Sequence, residues 1–182
     1  MSEKKRIYCF DSSAFIRLHQ FYPENLFPDM WEIIETLFNT NQIVSHILVY
    51  NELNPDPKST DKLGKLIKKK KKYFYDFTQE QIVHAEKIIK LFPKLIDPNN
   101  EKDQADPWLI AQAIELATQP NMFDDSEYYV VSEESVKSAF RIPAVCRHFK
   151  VEHLTLLEFY QYYKERKKTI ANTGIANSGA GR

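Results

Sequence analysis

The chain has 182 residues, enough for one domain with a substantial core. Hydrophobic residues make up 43% and aromatic residues 13%, which excludes a disordered chain. With 25 basic residues against 25 acidic ones, overall charge steers the protein toward neither nucleic acid nor membrane, so any such steering is local.

Residues 4–10 pass from a charged start into a short apolar run that stops at Asp11, too short for a signal peptide or a membrane span, so no membrane is expected. Cys9 and Cys146 lie far apart in no CxxC pattern, which points to neither zinc nor a disulfide framework and fits a reduced, cytoplasmic setting. Residues 7–10 (IYCF) read as a strand, ended by Asp11-Ser12-Ser13, and residues 14–20 turn helical. Trp31, Ile34, Leu37 and Phe38 carry a second helix over 26–39, and residues 42–45 (QIVS) form another short strand. A third helix is expected over 46–53, ended by the breaker Asn54-Pro55-Asp56-Pro57.

Residues 58–72 (KSTDKLGKLIKKKKK) predict a basic helix or loop, and 73–77 a short aromatic strand. Thr78 and Gln81 make a capping box that opens a helix to about residue 90. Beyond Pro93 and a polar stretch, Asp106-Pro107 starts a helix in which Trp108, Leu109, Ile110, Ala111, Ala113, Ile114, Leu116 and Ala117 cover most of the circumference. That pattern predicts burial on several sides. Residues 128–132 (YYVVS) read as a buried strand and 151–154 as a last one; Thr155 and Glu158 form a second capping box, opening a helix to about residue 168. Residues 169–182 are small and polar, and a disordered tail is expected there after a single domain over 1–168.

Short strands alternating with helices predict an α/β fold of three layers, a short-stranded parallel sheet flanked by helices. In such sheets, sites gather at the carboxyl ends of the strands. Asp11 falls at the first of these ends, Glu52 on the helix after the second strand, Asp103 and Asp106 at the buried helix's start, and Ser132-Glu133-Glu134 after a later strand. Each acid alone has an ordinary reading. Asp11 and Asp106 make good helix caps, Glu52 a solvated helix residue, and Glu133 and Glu134 first-turn acids. Their coincidence of position, with no accompanying histidine, cysteine or glycine-rich loop, points instead to a hard cation such as Mg²⁺ or Mn²⁺ and to phosphodiester hydrolysis.

The strand-Asp11-Ser12-Ser13 start, VYNEL with Glu52, ADPWLIAQA with Asp106 and VVSEES together resemble the PIN-domain nucleases, over about residues 6–157. They resemble most a bacterial and archaeal PIN-like subfamily beside the VapC-type toxins. The resemblance implies a metal-dependent endoribonuclease whose acidic quartet maps to Asp11, Glu52, Asp106 and Glu134, the last in the place of an Asp, with Glu133 adjacent as the alternative. It gives Ser132 the place of a hydroxyl two residues before the fourth acid, Ser13 that of a small polar residue orienting the first acid or a water, and Asp103 that of an outer acid or a mere loop residue. It further implies an RNA substrate, an antitoxin protein as partner in a type II toxin–antitoxin pair, and a homodimer as one assembly state. The rival within the same fold is an inert module that binds RNA or protein without cutting.

Two other readings of Asp11 fit the sequence less well. A haloacid-dehalogenase-like phosphatase wants a second Asp where Ser13 stands, and a receiver-like domain wants paired acids before Asp11 and a later strand-end Lys, neither of which is clear. The lysine run Lys68, Lys69, Lys70, Lys71 and Lys72 is either a solvated helix face or a patch that tracks phosphates, with Tyr73, Phe74 and Tyr75 offered to unpaired bases. The five histidines are scattered without metal-binding spacing, and Trp31 and Trp108 are expected in the core.

Overall fold

The computed structural model describes residues 4–53, 61–100, 103–118 and 126–166. In chain order these form β1 (Arg6–Phe10), α1 (Ser12–Phe21), α2 (Pro28–Asn39), β2 (Ile43–His46), α3 (Ile47–Leu53) and α4 (Lys62–Lys69). A single 3₁₀ turn then leads into β3 (Phe74–Tyr75) and α5 (Gln79–Leu91), followed by α6 (Asp106–Thr118), β4 (Glu127–Val131), α7 (Ile142–Phe149) and β5 (Glu152–Leu154). A last helix, α8, runs over 156–166. The breaker at 54–57 and the tail at 169–182 lie outside the described residues.

The five strands are all parallel, in the order β3-β2-β1-β4-β5, with helices flanking the sheet. This is the three-layer α/β arrangement expected from the alternation of strands and helices. β1 is central, and Tyr8, Cys9 and Phe10 have no exposed surface. A strand buried on both faces reads as a continuous apolar run, which is why IYCF shows no alternation. Phe10 packs against Phe15 of α1 and Phe159 of α8, each with ring centroids 5.2 Å apart, and Tyr8 meets Phe159 at 4.9 Å. Helix α6 lies against β1, β2 and β4, which accounts for its apolar circumference.

Several boundaries differ from the sequence expectation. The strand at 73–77 shortens to two residues, because Tyr73 still belongs to the 3₁₀ turn and β2 ends at His46, the partner of Tyr75. His46 belongs to β2 rather than to the helix after it, and α2 begins at Pro28, whose fixed φ suits the first helical turn. Helix α7 was not anticipated at all. Its eight residues give too short a period to read, and its first amide is satisfied by a carboxylate eight residues upstream.

Candidate functional site

The chain leaves β1 toward β2 and β3 but leaves β4 toward β5, so the carboxyl ends of the adjacent strands β1 and β4 form a topological switch point, the usual place for a crevice in an open parallel sheet. Asp11 stands there, its amide bonded to the Val131 carbonyl at 2.9 Å. It caps α1 from extended backbone, and its Oδ2 accepts from the Ser13 amide at 3.0 Å and from the Ser13 hydroxyl. Ser13 Oγ in turn accepts the Glu133 amide at 3.0 Å, so its own proton goes to Asp11. The other oxygen, Asp11 Oδ1, is buried with no partner, in a residue only 3% exposed.

Glu52 reaches across from α3. Its Oε2 accepts from the Ser12 hydroxyl at 2.7 Å and its Oε1 from the Ala105 amide at 3.0 Å, tying the end of β1 to the start of α6. Ala105 holds the capping position of α6, since its carbonyl takes the Leu109 amide. Asp106 is therefore the first helical residue and not the plain cap suggested by Asp-Pro, and its carboxylate lies where the helix dipole favours negative charge.

Burial, followed by the charges of Asp11, Glu134 and Glu52, pushes the Asp106 carboxyl up to about 8, with Arg141 opposing. Burial likewise raises Asp11 to about 6 against the Ser13 hydrogen bonds, with Glu52 and Glu134 adding to the rise. The four acids of the expected quartet thus share one electric field. Glu134 rather than Glu133 bears on both aspartates.

The two glutamates after β4 diverge. Glu134 accepts from the Ile142 amide at 2.8 Å, satisfying the start of α7, and pairs with Arg141 at 3.3 Å. Glu133 accepts from the Leu156 amide at 2.8 Å at the start of α8 and pairs with Arg17 at 3.3 Å. Ser132 is buried and turned away, its hydroxyl 2.9 Å from His153 Nε2, and Asp103 is exposed in the loop before α6. Burial holds His153 and His46 down to about 4; His46 lies between Phe77 and Trp108 as a neutral core residue.

With Glu52 and Glu134 both held by protein donors, no three His, Cys, Asp or Glu side chains among the described residues are placed, as they stand, to hold one ion between them. The donor set is all oxygen, however, and it includes the orphaned Asp11 Oδ1. That fits a hard divalent cation with two carboxylate ligands and a remaining shell of water, the habit of Mg²⁺.

The lysine run precedes β3, on the sheet edge two strands from β1 (roughly 10 Å across), and the Lys71 ammonium lies 5.2 Å from the ring centroid of Tyr50 on α3. Lys70 is 4% exposed, its ammonium bonded to Asn39 and facing the Phe38 and Tyr73 rings. It is removed from any phosphate path. Tyr73 and Phe74 are buried too, so of the three aromatics only Tyr75 is exposed. Ser12, Arg17, Arg141 and the Ala105 amide were missed in the sequence; only the adjacency of Ser12 to Asp11 could have flagged any of them.

Residues 8–167 match the model of a family described as Domain of unknown function (DUF4411). No curated protein matches the chain. Among solved structures, the crystal structure of VapBC2 from Rickettsia felis bound to a DNA fragment from their promoter is similar over 82% of this chain and 98% of that chain, at 16% identity and a TM-score of 0.45.

Proposed function

Because the chain belongs to the DUF4411 family, whose description assigns no activity, function has to be read from the site, and we propose a metal-dependent nuclease that hydrolyses RNA phosphodiester bonds. The observation that carries this reading is the buried, unpartnered Asp11 Oδ1 within the field of three further carboxylates. A buried carboxylate oxygen without a donor is costly, and so is a set of acids that repel one another. A divalent cation would relieve both at once.

Bound Mg²⁺ or Mn²⁺ would neutralise the acids and supply an activated water for in-line attack on phosphorus. Asp11, through Oδ1, and Asp106 are the carboxylates that would hold it. Ser13 keeps Asp11 Oδ2 engaged and so leaves Oδ1 turned to the site. Glu52, fixed by Ser12 and Ala105, and Glu134, fixed by Arg141 and Ile142, would hydrogen-bond the surrounding water. As water oxygen joined phosphorus, the P–O ester bond would break, the water proton would pass to a carboxylate, and the leaving oxygen would take a proton from solvent.

Cleavage of labelled structured and single-stranded RNAs with Mg²⁺, Mn²⁺ or EDTA, comparing wild type with Asp106→Asn, tests the reading. Metal-dependent cuts by wild type and none by a folded mutant are expected; cleavage that survives EDTA or the mutation would overturn it. The choice of RNA and the toxin role with an antitoxin covering the acids rest on the resemblance of the four motifs. Growth arrest on expression, relieved by the product of a neighbouring gene, is the expected outcome there.

One observation favours the inert module instead. Glu52 and Glu134 are both already bonded to protein. A melting temperature unmoved by Mn²⁺ would decide for that module.

A further inference from the structure

A cleft of about 470 Å³ opens between α7, β5 and the first turn of α8, and none of the four acids lines it. Its volume falls within the roughly 300–1,000 Å³ of small-molecule sites. Val136, Pro143 and Val151 give the cleft an apolar wall. Arg147 and Lys150 bring two cations that make no ion pair among the described residues. His153 adds a donor whose direction is fixed from behind. Ser132 is fully buried, and its hydroxyl has one partner among the described residues, His153 Nε2 at 2.9 Å. A buried hydroxyl proton needs an acceptor, so Ser132 donates to Nε2. The imidazole, kept neutral by burial, then carries its own proton on Nδ1, which has no protein partner among the described residues.

Two acids also line the cleft, Glu152 and Glu158. Glu158 is already committed, because it accepts from the Thr155 amide at 2.7 Å and hydroxyl at 2.8 Å in the first turn of α8, where the helix dipole offsets its charge. That leaves Glu152 set against two free cations and a neutral N–H. A doubly charged phosphate matches such a donor set better than a singly charged carboxylate does, and the apolar wall calls for an organic group attached to it. We propose that this cleft binds a small phosphate monoester, its phosphate held by Arg147, Lys150 and His153 Nδ1–H and its organic part laid against Val136, Pro143 and Val151. The site is separate from the acids at the carboxyl ends of β1 and β4 and stands whether or not they cut RNA.

Nuclear magnetic resonance of the full chain in EDTA, with isotope-labelled histidine and phenyl phosphate as the probe, tests the assignment. The ring signals that vanish in His153→Asn should report a proton on Nδ1 before the probe is added, and they should move as phenyl phosphate is titrated in. Arg147→Gln combined with Lys150→Asn, confirmed as folded by its melting curve, should weaken binding about tenfold or more, the effect of losing one hydrogen bond to a charged group. Asn is chosen at 150 because it tolerates the left-handed backbone there, with φ 58°. Lys69→Gln combined with Lys72→Gln removes the same charge near β3, at the opposite edge of the sheet, and should leave binding within about twofold. Inorganic phosphate, which lacks the apolar body, and phenylacetate, which lacks the second charge, should each bind more weakly than the ester. A proton on Nε2, binding unchanged in the Arg147 and Lys150 variant, an equal loss in the Lys69 and Lys72 variant, inorganic phosphate bound as tightly as the ester, or no binding at about 10 mM phenyl phosphate would each overturn the proposal.

Discussion

Asp11 and Asp106 are the same residue type, yet they are held in opposite ways: one oxygen of Asp11 is saturated by Ser13, whereas Asp106 lies at the start of a helix among like charges. Both carboxyls stand above their unfolded value of 3.8, whereas His46 and His153 stand below their unfolded value of 6.5 and offset them at lower pH, so the folded chain binds more protons than the unfolded one between about pH 6.5 and 8, through Asp106. Stability of the metal-free protein therefore falls as pH rises through that window. The melting temperature should drop from pH 6.5 to pH 8, by about 2–4 °C for each kcal/mol lost, and Asp106→Asn should flatten most of the slope. Cation binding needs the ionised acids, so the thermal shift given by Mn²⁺ should grow over the same range. Ser13→Ala removes one donor from Asp11 and strands the Glu133 amide, which should cost about 1–3 kcal/mol in urea unfolding; Ser13→Thr should restore most of it.

Helix starts in this protein are served by two kinds of partner, local and distant. Thr155 and Glu158 close their capping box reciprocally, at 2.7 Å and 3.3 Å, as their spacing predicts. Thr78 caps Gln81 at 3.1 Å, but the Gln81 side chain turns instead to Glu115 at 2.7 Å, where the Thr78 hydroxyl also bonds. Thr78→Val therefore loses a cap and leaves a buried carboxylate short of a donor, and should destabilise by about 2 kcal/mol in denaturant titration. The first amides of α7 and α8 donate to Glu134 and Glu133, carboxylates that precede them by 8 and 23 residues. Such partners leave no trace in a local window. Glu134→Ala should cost about 1 kcal/mol through the Ile142 amide alone, read as a lowered urea midpoint.

At the scale of the molecule, the central strand couples packing to site geometry. Phe159 of α8 touches Tyr8 at 4.9 Å and Phe10 at 5.2 Å, directly beneath the turn that presents Asp11. Phe159→Ala should cost about 3–5 kcal/mol, seen as a large fall in the denaturation midpoint. The strand order also puts the chain's most basic segment and its most acidic surface at different strands. Lys68–Lys72 precede the edge strand β3, while Asp11, Glu52, Asp106 and Glu134 meet at the carboxyl ends.

Hydrophobic period, breakers and capping boxes made the alternation of strands and helices legible, and with it the parallel sheet and the four acids at its carboxyl ends, because each of these is written within a few neighbouring residues. Other features depended on contacts between residues far apart in the chain. Strand order put β1 beside β4 and so brought the Glu134 charge to bear on Asp11 and Asp106. Packing buried Lys70, Tyr73 and Phe74, which composition alone offered to solvent. Hydrogen bonds across 40 and 53 residues fixed Glu52, and the arginines beside the acids became visible only with the turn after β4 in place. A sequence shows which groups a chain carries; the distances and burial that set their charge and partners exist only once the sheet has closed.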